Sequence, residues 1–197
     1  MSGVPPRKKR PHDEPVTLTD PAAIKGLAHP ARLAVLDELR QGSALTATEC
    51  AAIAGLSASA MSYHLRALER WGFVERAEDT GDGRERPWRA TSSRGWRIQA
   101  PGPAGLAAAS ALLSAIFDRL RNDMFAWTEV EHDQPKIWQE VASVGNSSVW
   151  LTPAEARELV GQYEKVNTLA RGRTAADHPQ GARRVRLGVV IAPSVRD

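Results

Sequence analysis

The stretch TATECAAIAGLSASAMSYHLRALERWG, residues 46–72, decides the fold. Thr46 and Glu49 stand three apart ahead of an apolar run, the spacing at which a hydroxyl and a carboxylate cap a helix's first turn reciprocally. The helix they open is predicted to end at Gly55, a residue suited to the left-handed turn at a helix C-terminus. Ser57 then caps a second helix, which should run to Trp71 and stop at Gly72. Within it Met61, Leu65 and Leu68 fall at i, i+4 and i+7 and form one apolar face. Ala51 is small where the two helices must cross, and Leu56 in the turn is expected to plug the core.

The other face of the second helix carries Ser59, Ser62, Tyr63, Arg66 and Arg70. Serine competes for backbone hydrogen bonds and is a mediocre helix former, so exposed serines there call for a different benefit. The DNA major groove supplies one. Small hydroxyls let a helix backbone approach base edges and phosphates and can donate to or accept from either. Ser57 and Ser59 lie at the helix N-terminus, where the orphan amides carry partial positive charge. Tyr63 can reach a phosphate or a thymine methyl, and Arg66 a phosphate or a guanine. Thr46, Ala60 and Arg70 complete the contact set expected on these two helices.

Working outward, FVERAE and ERPWRA read as two short strands joined by the turn-rich DTGDGR. Pro87 in the second strand argues for an edge position. This hairpin would form a wing over 79–89, with Arg84 and Arg86 near its tip placed to enter a minor groove. Upstream, Asp20-Pro21 should open a helix over Ala22 to Ala28. His29-Pro30 breaks it, and ARLAVLDELR resumes with Leu33, Leu36 and Leu39 until Gly42. Residues 1–19 read as a disordered basic tail whose RKKR, 7–10, is either a phosphate-brushing arm or a solubilising run. SSRGWRIQAPGPAG reads as a linker.

The longest helical pattern covers 104 to about 132, with Leu106, Ala109, Leu113, Ile116, Phe117, Leu120, Met124 and Trp127 recurring at three and four. At roughly 40 Å it outruns one small domain, so a second subunit is the natural cover for the stripe. A short helix near Ile137 to Val141 follows. SSVWL and RRVRLGVVIA then read as strands, on either side of a helix capped by Thr152 and Glu155. Whether those strands pair within one subunit or between two is open. The fold class expected is α+β and mainly helical: a winged helix-turn-helix domain over 20–98, then a dimerisation and effector-sensing region over 99–197 with a long helix and a small helix/strand unit.

LAHPARLAVLDEL, LTATECAAIAGLSASAMSYHLRALERWGFVER and the Arg-bearing hairpin together resemble the ArsR-type winged helix-turn-helix regulators over residues 22–91. The resemblance implies a dimeric transcription factor, usually a repressor, whose 57–71 helix enters the major groove. Many members bind thiophilic metals through a Cys-x-Cys pair on the preceding helix. This chain has TECAA there and no second thiol, so no metal and no cofactor is expected.

Charge fits the same reading. The net charge is +3, and all of the excess lies in the first half: 15 Lys and Arg against 12 Asp and Glu in 1–98, but 11 of each in 99–197. One cysteine excludes an internal disulfide and suits a reducing cytoplasm. No run of about 18 apolar residues and no apolar leader is present, so neither a membrane span nor a secretory signal is expected.

Several residues carry a plainer alternative. Cys50, beside Ala51, reads as a small core residue, and His64 as a packed, hydrogen-bonded histidine. Trp71 and Trp88 should brace the wing. Glu129, His132 and Asp133 have ligand spacing at i, i+3 and i+4, but they fall where the long helix ends and solvated charges are common. Trp127, Trp138 and Trp150 suit either an apolar effector pocket or a dimer core. The partners expected are double-stranded DNA, a second copy and a small-molecule effector, with no membrane. Two rivals stand beside a DNA-binding regulator: a metal-dependent enzyme or sensor, and a winged helix used only for protein contact. No catalytic motif supports the first.

Overall fold

The computed structural model describes residues 16–77, 86–93, 96–170, 172–174 and 177–194. Residues 7–10 of the basic tail and Arg84 of the wing tip lie outside the described residues. The chain divides into two compact units. The first holds residues up to Ile116 together with Gly172–His178, and the second holds Phe117–Arg171 and Pro179 onward.

The first unit opens with β1, Val16–Leu18, and α1, Pro21–Leu27. Asp20 accepts from the Ala22 amide and Pro21 stands at the first helical position, so both start signals act. α2, Pro30–Arg40, restarts after the break, with His29 as its N-cap. α3, Ala47–Ala54, carries the full capping box: Glu49 N–H donates to the Thr46 hydroxyl at 3.2 Å, and Thr46 N–H donates to the Glu49 carboxylate at 2.7 Å. Gly55 takes φ 64°, a conformation that costs a side chain dearly, and turns the chain into α4, Ala58–Arg70. The Ala60 amide donates to Ser57 Oγ at 3.2 Å and caps α4 as expected.

The core is one cluster. Ile24 and Leu27 of α1, Leu33, Leu36 and Leu39 of α2, and Met61, Leu65 and Leu68 of α4 are all essentially inaccessible. Cys50 and Ala51 of α3 are buried among them. Leu56 differs from expectation: at 36 % exposed it sits on the turn surface rather than plugging the core. The Leu56 amide already donates back to the Ala51 carbonyl. The turn that satisfies α3's last carbonyls thus holds residue 56 outward.

The hairpin forms from β2, Val74–Arg76, and β3, Trp88–Ala90, paired antiparallel with Val74 opposite Ala90. Pro87 lies just outside β3, which is an edge of this two-stranded sheet with one isolated bridge on its far side, where Trp88 and Leu45 exchange both backbone hydrogen bonds. A residue after Pro87 can supply the ladder amide that proline lacks. Two further corrections concern pairing at long range. Residues 16–18, read as part of the disordered tail, and Trp96–Ile98 (β4), read as linker, form a parallel pair. A pair of three-residue strands nearly eighty residues apart leaves no local periodicity to detect.

Trp71 shows how tightly α1 meets the end of α4. A Cβ at Gly26 would run into the Trp71 ring. Gly26→Ala is therefore expected to destabilise the chain by about 1–3 kcal/mol, measured by urea unfolding, because a rigid indole rather than a flexible chain end must move.

α5, Gly102–Val130, is the long helix. Gly105, Ala108 and Leu112 are buried, the last two in the first unit's core, while Leu106, Leu113 and Phe117 of the expected stripe are exposed. Residues 102–133 are also the one described helical stretch long and apolar enough, by length and composition, to cross a membrane.

The second unit continues with a 3-10 turn, Glu131–Asp133, then α6, Lys136–Gln139, and α7, Pro153–Leu169, which bears the second capping box, Thr152 with Glu155. That bond to Thr152 holds the Glu155 carboxyl below its ordinary range. Residues 147–151 and 183–192, expected as strands, run without a ladder among the described residues. Strand propensity needs a partner edge to become a strand, and none among the described residues meets them there.

Candidate nucleic-acid interface

α4 divides cleanly into two faces. Met61, Leu65 and Leu68 are buried, while Ser57, Ser59, Arg66 and Arg70 are exposed and Tyr63 is 67 % exposed. Ala60 and Ser62 are half-buried at the boundary, as is Thr46 at the head of α3. The exposed part of this face stands clear of the core, at the N-terminal end of a helix whose first turn is capped by Ser57. Arg86, at the base of the hairpin, is exposed. Its carbonyl accepts from Arg76 Nη1 at 2.5 Å, and the Arg76 guanidinium lies 3.8 Å from the centroid of the buried Trp88 ring. Trp88 therefore braces the wing root as expected. Across the same ladder Arg89 pairs with Glu75 at 2.8 Å. Arg76 was not singled out from sequence, since one arginine in a short strand carries no periodic signal.

Behind α4 lies a cluster that the sequence did not reveal as one. Arg32 of α2 is 8 % exposed. Its Nη1 donates to the Gly26 carbonyl at 2.6 Å, its Nε donates to His64 Nδ1 at 3.2 Å, and its guanidinium lies 5.2 Å from the Trp71 ring centroid. Arg70 also lies over that indole, at 5.3 Å. His29 accepts the Ala31 amide through Nδ1, and its ring centroid is 4.4 Å from that of His64. Desolvation, then neighbouring positive charge, holds both imidazoles below their ordinary pKa. His64 is thus a packed, hydrogen-bonded residue, and Tyr63 meets it edge-on at 5.6 Å on the outer side. The guanidinium of Arg32, on α2, thus bonds to both α1 and α4, which ties the three helices together behind the exposed face of α4.

The remaining candidates separate. Burial, then the nearby Glu49, pushes the Cys50 thiol up to about 12, so it is a protonated core residue with little thiolate to offer a metal. His132 contacts Asp133 at 3.2 Å on the surface, and among the described residues no group of three or more metal-ligating side chains forms. Trp150 is 94 % exposed, so it lines no pocket in this chain, which corrects that part of the effector reading. It precedes α7 in a segment with no ladder partner to bury it. Trp127 and Trp138 are half-buried, Trp138 under the Arg183 guanidinium at 5.3 Å.

Three capped helices, the last with a polar outer face, and a hairpin joined to them define the class: a winged helix-turn-helix. Residues 27–77 match the family model described as a helix-turn-helix domain, so the chain carries a domain of the kind used by DNA-binding transcriptional regulators. Among solved structures it is similar to a possible transcriptional regulator for arsenical resistance, at 30 % identity over 51 % of this chain and 94 % of that one, with a TM-score of 0.31. It is also similar to a MarR family protein of Mycobacterium tuberculosis in complex with salicylic acid, at 22 % identity over 74 % of this chain and 82 % of that one, with a TM-score of 0.31. No curated protein matches the chain.

Proposed function

We propose that this chain is an ArsR-like, homodimeric transcriptional repressor without enzymatic activity, which reads an inverted repeat in duplex DNA. The observation that carries the reading is the two-faced α4. Three fully buried apolar residues anchor it, and Ser57, Ser59, Ser62, Tyr63 and Arg66 lie on its outward and boundary positions. α4 lies in the major groove with its N-terminal turn toward the base edges, and Arg86 reaches phosphate or minor groove from the wing. A two-fold places the two α4 helices in half-sites about one helical turn, roughly 34 Å, apart. The exposed stripe of α5, with Leu106, Leu113 and Phe117, is the surface the second copy covers.

The domain works in the cytoplasm, where its DNA is. A membrane role for α5 fits poorly, because Asp118, Arg119, Arg121 and Asp123 stand within the helix and would each be costly in hydrocarbon. Arg121 and Asp118 pair at 3.0 Å on its surface instead.

Selection of bound sites from a random duplex pool, followed by anisotropy titration at several salt concentrations, tests this. Ser62→Ala with Tyr63→Ala should relax sequence preference while unfolding is unchanged. Arg86→Ala should weaken binding to every sequence and lower the salt slope by about one for one lost phosphate contact. Binding that ignores salt, or a double variant with undiminished preference, overturns the assignment of this surface.

A further inference from the structure

We propose that residues 184–192 of two copies of this chain pair as antiparallel strands about a two-fold at Gly188, an inter-subunit ribbon built from a segment that has no ladder among the described residues of its own chain. The proposal rests on the homodimer reading above and says where part of that dimer is made.

The segment reads RVRLGVVIA, and its residues alternate. Val185, Leu187, Val189 and Ile191 stand at alternate positions, each between 37 % and 52 % exposed, and in a strand they would share one face. Between them Arg186 pairs with Asp123 and a Cβ at Gly188 would run into Leu120, both of its own subunit's α5, while Val190 is 62 % exposed. A β-branched, apolar run held beside a helix, with no ladder assigned to it among the described residues, has the composition of a strand without the strand.

The sequence itself selects the occupant. Antiparallel pairing of the segment with a second copy, centred on Gly188, sets Val185 opposite Ile191 and Leu187 opposite Val189, twice each by symmetry. All four of these apolar residues then meet apolar partners across the ribbon. On the other face Arg184 falls opposite Ala192 and Arg186 opposite Val190, so no arginine faces an arginine. Parallel in-register pairing would instead stack Arg184 on Arg184 and Arg186 on Arg186, and like charges side by side disfavour it. A shift of one residue in either direction breaks the match of apolar to apolar. Antiparallel pairing of this alternating segment with its own copy is self-complementary, as a two-fold interface requires, and of the registers that keep apolar opposite apolar the one centred on Gly188 sets glycine against glycine at the axis.

Differently tagged Leu187→Cys and Val189→Cys chains, co-expressed and gently oxidised, test the pairing. Directly opposite residues lie within disulfide reach, whereas 187 with 187, or 189 with 189, is a diagonal pair at about 7–8 Å and lies outside it. Cys50 is fully buried and stays out of the reaction. The expected result is a disulfide between the two tagged variants and none when either is expressed alone. Cross-linking of each variant with itself would mean parallel pairing and overturns the proposal. Absence of any cross-link in a preparation that sediments as a dimer also overturns it, while leaving the homodimer intact. A monomer by sedimentation ends both readings.

Discussion

Leu65→Ala should lower the unfolding free energy by about 2–5 kcal/mol, the range for a leucine removed from a packed core. Leu65 is fully buried in the middle of α4, with Met61 one turn before it and Leu68 close behind. The loss is the transfer energy of the side chain plus that of the residual cavity. Tyr63→Ala, two residues away and two-thirds exposed, should change stability by no more than about 0.5 kcal/mol. The pair separates two roles carried by one helix. Chemical denaturation of both variants, beside a duplex titration at a temperature where both are folded, should show Leu65→Ala weakened in stability alone and Tyr63→Ala in binding alone. Equal stability losses would mean that the two faces are not divided as described.

The second large effect is on pH. His29 Nδ1 accepts from a backbone amide and His64 Nδ1 accepts from Arg32. Neither donor can reverse its role, so each bond requires that nitrogen to be unprotonated. Burial is the largest influence on both, then Arg32 on His29, and His29 with Arg32 on His64; Tyr63 meets the His64 ring edge-on. Both imidazoles are held below the ordinary value of 6.5. The unfolded chain therefore binds more protons than the folded one as pH falls through 6.5, and stability rises with pH in that window. The contribution is intact above about 6.5 and is lost on acidification toward the depressed folded values. Thermal midpoints between pH 7.5 and 5 should fall, and His64→Gln, whose amide oxygen still accepts from Arg32, should flatten the profile. A wild-type profile that is level across this range would contradict the cluster's geometry.

Arg32 and His64 mark where reading the sequence stops. Each is one residue on a strongly patterned helix, and nothing in the spacing of either helix says that α2 and α4 cross with these two in contact. Trp71 likewise read as a wing brace, whereas its ring also closes over Gly26 and lies under two guanidiniums. The β1–β4 pair was invisible for a related reason: three residues are too few to show alternation, and their partner is remote.

The sequence alone determined the local elements of the first unit: the capping box of α3, the left-handed turn at Gly55, the apolar face of α4 and its exposed Ser57 and Ser59. These are set by neighbours within about four residues, and short-range hydrogen bonding and helical period fully specify them. Only the tertiary structure decided that Leu56 and Trp150 are exposed and that the C-terminal segments form no ladder among the described residues. Burial and strand pairing depend on which distant surface arrives, and a linear pattern states the need for a partner without naming it.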